Sequence, residues 1–292
     1  MIIVPYPPGG QGDTIGRIVA ERMRATLGQP VIIENVGGAS GSIGVGRVAR
    51  AAPDGYTLVL GSFSNMVVSG AVFDLKYDLL KDFEPVALLP TQPFVIVARK
   101  SMPATNLKEL IAWLKANPDT ASQGTSGFGA ASHLAGVLFQ KETGTRYPFV
   151  NYRGTAMQDL VAGHIDLMID NASTALPQVR AGTIKAYSVA SKHRLAAAPD
   201  IPTVDEAGLP GYYMSLWNGF WVPKGTPEPI IAKLNAATVD ALSDPVAQHQ
   251  LGQFGLQLYP REQETPEALG ALQRTEIAKW WPIIKAAGIK VE

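Results

Sequence analysis

The chain has 292 residues, with 25 Lys and Arg against 25 Asp and Glu, 46% apolar and 17% charged residues. That length favours two domains with real cores, and a net charge of zero argues against a protein that neutralises many nucleic-acid phosphates. The absence of cysteine excludes disulfides, thiolate metal sites and a cysteine nucleophile, and no apolar run reaches the ~18 residues of a membrane span.

Ile2-Ile3-Val4 reads as a buried strand directly after Met1. No basic segment and longer apolar stretch stand before it, so the residues show no leader and read either as a cytoplasmic protein or as a chain trimmed of its leader. After the loop from Pro5, Asp13 is the expected N-cap of a helix that places Ile15, Ile18, Val19, Met23 and Leu27 on one face, ended by Gly28. A short strand at 31–33, a glycine-rich loop, a helix at 43–51, a turn at Pro53-Asp54-Gly55, a strand at 56–60 and a loop at 61–65 follow. Repeated βα units of this kind predict a parallel sheet covered on both faces.

Strands are predicted at 86–89 and 94–97, separated by Pro90 and Pro93. A second α/β series then comprises a helix at 107–117, a small-residue loop at 124–129, and a helix capped by Ser132. It continues with strands at 149–152, 165–169 and 186–190 and helices at 155–162 and 175–181. A strand at 220–222 and helices at 229–242, 245–254 and 266–287 finish the chain. The expected architecture is α/β with two lobes, residues 1–98 plus 223–292 and residues 99–222, and a ligand cleft between them. The chain crosses near Val95 and returns near Trp221.

Ligands of open α/β sheets bind beyond the carboxyl ends of strands. The segments there are Tyr6 to Thr14, Gly61 to Asn65 and Gly124 to His133, and the first and third run into helix N-termini. Helix N-termini offer unpaired N–H groups and a positive dipole end, glycines admit a ligand to the backbone, and Ser and Thr hydroxyls add donors. One such loop from each lobe can clamp a small anion without an arginine cluster. A rival pattern, Gly10-x-Gly12-x-x-x-Gly16 with Glu34 after the next strand, suggests a nucleotide-dependent oxidoreductase. Against it, Pro5-Tyr6-Pro7-Pro8-Gly9 separates strand from glycines, and proline has no N–H for a pyrophosphate. Catalysis has little else: His133, His164, His193 and His249 are scattered and Gly-x-Ser-x-Gly is absent. His133 suits a cap or ligand contact, Asp170 faces the expected cleft from the end of a buried strand, and Trp217 reads as core or ligand wall. No catalytic residue, metal or cofactor is assigned.

Val4-Pro5-Tyr6-Pro7-Pro8-Gly9-Gly10-x-x-Asp13 resembles the first-loop signature of the Bug (Bordetella uptake gene) receptors, the solute-binding proteins of tripartite tricarboxylate transporters. Similar pieces follow in order across nearly the whole chain, among them Ala51-Ala52-Pro53-Asp54-Gly55-Tyr56, Ser132-His133-Leu134-Ala135-Gly136 and Tyr152-Arg153-Gly154-Thr155. Pro223-x-Gly225-Thr226-Pro227 closes the series. The resemblance implies a two-lobed type II periplasmic-binding-protein fold. It also implies a periplasmic monomer that takes a small carboxylate (di- or tricarboxylate, acidic amino acid or aromatic acid) to membrane permease subunits, or in a variant to a signalling partner. Carried over, Gly9, Gly10 and Thr14 bind from the first lobe, with Tyr6 and Pro8 as wall, Ser62 and Ser64 beside them, and Gln11 limiting ligand size. Thr125, Ser126, Ala131 and Ser132 bind from the second lobe, and Tyr152, Asp170 and His133 serve the distal end of the ligand. The family's loop arginine is missing at Asn35-Val36-Gly37-Gly38, and Arg153 stands where lysine is common.

Overall fold

A computed structural model of the chain describes residues 1–152 and 154–289; Arg153 lies outside the described residues. The chain forms two compact units, Met1–Thr91 with Trp217 onward, and Gln92–Leu216.

In the first unit, β1 (Ile2–Val4) pairs in parallel with β2 (Ile33–Asn35) and β3 (Leu58–Ser62), and β3 pairs antiparallel with the return strand β9 (Ser215–Pro223). Helix α1 (Gln11–Leu27) buries Ile15, Val19, Ala20 and Met23, its core-facing stripe, in one cluster with Ile2, Val4, Leu60, Phe220 and Leu234 of α8 (Glu228–Ser243). α2 (Ser42–Ala49), α3 (Ser69–Val72), α9 (Pro245–Gln253) and α10 (Pro266–Ala286) complete it.

In the second unit, β5 (Gln123–Thr125) pairs in parallel with β6 (Phe149–Asn151) and β7 (Leu167–Asn171). The long strand β4 (Phe83–Arg99) runs antiparallel to β7 and to β8 (Ile184–Val189). A cluster of Val95, Val97, Met157, Leu160, Met168, Leu176 and Val189 lies under α6 (Met157–Ala162) and α7 (Ala172–Arg180); α4 (Leu107–Ala116) and α5 (Ala131–Thr143) are the other helices. Among the described residues no helix is long and apolar enough to cross a membrane.

Four local expectations are corrected. The two strands separated by Pro90 and Pro93 are one strand, β4. Proline's fixed φ suits an extended chain, and the missing donors are not needed because β4 changes partners there: Thr91 exchanges both backbone hydrogen bonds with Gln257, whereas Phe94 N donates to Met214 O. The expected loop at 61–65 is instead the end of β3 followed by a π-helical turn, Ser64–Val68, tied by Ser62 N donating to Asn65 Oδ1 at 2.8 Å. Asp13 and Ser132 are not N-caps, since α1 and α5 begin earlier, after Gly10 and Ala130.

The two crossings expected at 98/99 and 222/223 compare with divisions at 91/92 and 216/217, both inside the continuous strands β4 and β9. Trp217 is core on the first-unit side, 2% exposed and packed on Phe63 and Trp221 with ring centroids 6.4 and 6.2 Å apart. Gly61 of β3 faces Gly219 of β9. A Cβ on Gly61 would lie 2.4 Å from Met66 Cγ and 2.6 Å from Trp221 Cζ3, so the indole occupies the space that a side chain there would need. Gly61→Ala is expected to lower unfolding free energy by about 1–3 kcal/mol through overpacking, measured by urea denaturation; an unchanged midpoint would show that this contact relaxes freely.

Candidate functional site

Both expected binding loops follow the same plan, each within its own unit. In the first, Gly9 (φ +81) precedes the N-cap Gly10, and Asp13, the third residue of α1, reaches back to accept from Gly9 N at 2.9 Å. In the second, Gly129 (φ +75) precedes the N-cap Ala130, and His133, the third residue of α5, accepts through Nδ1 from Gly129 N at 3.1 Å. The left-handed φ at Gly9 and Gly129 is the reason for glycine at both places. The reach-back resembles half of a capping box: it satisfies the amide before the helix and leaves the first amides of the helix itself unserved by any side-chain cap. Helices α4, α9 and α10 differ, each capped by its own Asn106, Asp244 or Thr265 side chain.

Asp13 is the fastening of the first loop. It is 4% exposed and accepts from Arg17 Nε at 3.0 Å and Asn35 Nδ2 at 3.0 Å as well as from Gly9, and Asn35 Nδ2 also donates to Tyr6 O. Burial works to raise its pKa, but these hydrogen bonds and the Arg17 charge together hold it below the usual carboxylate range. Tyr6 OH lies 2.5 Å from Ser62 Oγ and accepts from Asn65 Nδ2, and burial pushes its pKa up to about 12, so it is a neutral hydroxyl. Pro8, Gly9 and Gly10 are exposed, Gln11, Thr14 and Ser64 half-buried, and Gln11 Nε2 is a buried donor with no partner.

The second loop is fastened by neutral groups. Ser132 Oγ accepts from Ser126 N at 2.9 Å and lies 2.9 Å from Ser126 Oγ, Ser132 O accepts from Gln123 Nε2, and Thr125 Oγ1 donates to Asn151 Oδ1 at 2.7 Å. His133, packed between Phe128 and Phe149 at 4.9 and 4.7 Å, has its pKa lowered by burial. An accepting Nδ1 places its proton on Nε2. Ala131 and Ser132 are the first two residues of α5. Tyr152 directs its hydroxyl to Asp159 Oδ2 at 2.5 Å, so its polar end serves α6. Asp170 is 6% exposed near the end of β7, and Asp166, just before that strand, is taken up by Arg99 and Ser122.

The carboxamides were not singled out in the sequence, although three of them end strands: Asn35 on β2, Asn151 on β6 and Asn171 on β7. Asn35, Asn65 and Asn151 hold the loops that follow or neighbour their strands, whereas the Asn171 side-chain oxygen has no partner. Neither loop contains a Lys or Arg between residues 5 and 14 or between 124 and 133. The arrangement therefore offers a small anion neutral donors on rigid backbone. For a nucleotide, Glu34 would have to be free to take a ribose, but it is paired with Arg47 at 2.5 Å. Among the described residues no three His, Asp or Glu side chains gather as metal ligands.

Burial raises the pKa of Asp170 from 3.8 to about 6, partly opposed by its hydrogen bond from Asn171 N. A carboxyl whose folded pKa is raised contributes stability that is present at low pH and lost as pH rises through the folded value. Asp170→Asn, which stays neutral, is therefore expected to gain about 3 kcal/mol on the native protein between roughly pH 4 and pH 8. Paired denaturant titrations at the two pH values measure it; a stability difference that does not change with pH contradicts the burial account.

The family model of the tripartite tricarboxylate transporter family receptor, TctC, matches residues 15–289. Protein BugT of Bordetella pertussis is 32% identical over 295 residues, covering 100% of this chain and 90% of BugT. MatC of Rhodopseudomonas palustris, solved with bound malate, is 39% identical with a TM-score of 0.77 over 97% of each chain. A second R. palustris protein, solved with adipate, is 31% identical with a TM-score of 0.80 over 99% of this chain and 97% of that one. The chain accordingly has the fold of these periplasmic binding proteins and belongs to the TctC, or Bug, family of tripartite tricarboxylate transporter receptors.

Proposed function

We propose that this protein is a periplasmic receptor that captures a small organic carboxylate, a dicarboxylate first of all, and hands it unchanged to the membrane subunits of a tripartite tricarboxylate transporter, working as a single chain. The observation that carries this reading is the pair of like-built loops whose helices begin without side-chain caps. The dicarboxylates in the two R. palustris relatives, malate and adipate, support it.

In this reading each loop offers donors to carboxylate oxygens: the amides of Gln11 and Gly12 and Gln11 Nε2 in the first unit, and the amides of Ala131 and Ser132 in the second. Thr14, Ser64, Thr125 and Ser126 add hydroxyls, directly or through water. Hydrogen bonds to a charged group contribute about 1.5–3 kcal/mol each, and the positive ends of α1 and α5 add about 0.3–1 kcal/mol apiece, up to ~2 where partly buried. No step of bond making is needed, and no residue is assigned one. Tyr6 and Pro8 shape the wall of the first loop and His133 supports the second.

Ala131→Pro tests the backbone role. Proline is tolerated at the first position of a helix, where it removes only an amide without an intrahelical partner, and Ala130 (φ −65, ψ 161) already has the extended backbone that precedes proline. The variant is expected to keep its melting temperature and to bind malate or adipate about 10- to 100-fold more weakly by calorimetry, the loss of one charge-assisted hydrogen bond. Unchanged affinity, or no binding of any small carboxylate by the native protein, would contradict the proposal.

A further inference from the structure

Two oxygens at the end of β7 hold nothing in the fold. Asp170 is 94% buried by its 6% exposure; its only hydrogen bond among the described residues is the one Oδ1 accepts from Asn171 N at 2.7 Å, and no cation pairs with it there. Asn171 occupies the N-cap position of α7, where a carboxamide oxygen ordinarily accepts from the second or third amide of the helix. It does not do so here, and its Oδ1 is buried without a partner. Buried acceptors are ordinarily satisfied, so an exception of this kind calls for a partner that the chain does not supply.

Their place links them to the second loop. β5 and β7 are parallel with Gly124 level with Met168, so the two strands end in the same direction, β5 at Thr125 and β7 at Asn171. The acceptors thus stand at the same edge of the same sheet as the loop from Gly124 to His133. Asn151, the end residue of the neighbouring β6, is already taken up by Thr125, which leaves the end of β7 as the part of that edge with acceptor capacity to spare.

From this juxtaposition we propose that Asp170 and Asn171 form a donor-seeking subsite that selects carboxylates bearing a hydroxyl or ammonium substituent over the unsubstituted acid of the same length. The inference rests on the receptor reading above and deepens it. A hydroxyl or ammonium group donates to the free carboxylate oxygen of Asp170 and to Asn171 Oδ1. A methylene leaves both acceptors dry and unpaired, and a second carboxylate oxygen placed there meets the like charge of Asp170.

Calorimetry with matched acids tests it: succinate, malate and aspartate, and glutarate, 2-hydroxyglutarate and glutamate. The native protein is expected to bind the hydroxy or amino member of at least one set about tenfold or more tighter than its plain acid. Malate against aspartate, and 2-hydroxyglutarate against glutamate, tell which donor is preferred. Asp170→Asn is expected to reduce that preference to less than about threefold. Asn171→Ala, which keeps the backbone, is expected to reduce it in the same direction and serves if the first variant does not fold. Equal binding within each set, a preference for the plain acid, or an equal loss for all acids in both variants overturns the subsite and leaves the receptor reading standing. Absence of binding by all six overturns the subsite, and the receptor reading falls with it only if a wider panel including adipate and aromatic acids also fails.

Discussion

The reach-back of a helix's third side chain to the glycine amide before its N-cap is the contact on which both loops depend. Asp13 to Gly9 and His133 to Gly129 are the same step made with different chemistry. Each satisfies the glycine amide that precedes the helix, and neither covers the unpaired amides that follow. A conventional Asn, Asp or Thr cap, as at Asn106, Asp244 and Thr265 elsewhere in the chain, spends its oxygen on those amides and closes the terminus to other acceptors.

The two loops are alike in plan and unlike in charge. The first contains a buried carboxylate, which would repel an anionic ligand were it free. Arg17 and Asn35 occupy it instead, so the loop is rigid and nearly neutral. The second uses an imidazole kept neutral by burial and two serines in mutual contact. A protein of zero net charge with no cation in either loop has to recognise an anion through fixed dipoles, and such donors act most strongly where water is excluded. In the proposed reading, discrimination among acids falls to groups away from the loops, such as those at the end of β7.

Much of the fold was legible because its signals are local. Alternating short apolar runs and amphipathic stretches gave the βα units, Gly28 ends its helix in the left-handed conformation, and the C-terminal helices lie close to where periodicity puts them. What was not legible depended on partners distant in sequence. Pro90 and Pro93 look like breaks until Gln257 and Met214 are seen to serve the strand in turn. Asp13 and Ser132 are good caps by residue type, yet helices that begin two or three residues earlier convert them into fastenings. The loops were recognisable by their glycines, whereas the asparagines that hold them were not, because an asparagine after a strand reads as an ordinary turn residue. The one sequence signal at Asn171, the sequon-like Asn171-Ala172-Ser173, reads as chance and says nothing of a ligand; what separates it from Asn35 and Asn151 is its unpaired oxygen.

The central claim, that main-chain amides at the starts of α1 and α5 grip the carboxylate, is tested most directly by amide proton and nitrogen shifts in a titration of the labelled protein with malate or adipate. Saturable downfield movement of the Gln11, Gly12, Ala131 and Ser132 amide protons, the signature of new hydrogen bonds to an anion, is expected. Shifts confined to lysine and arginine side chains, with these four amides unmoved at saturation, would contradict it.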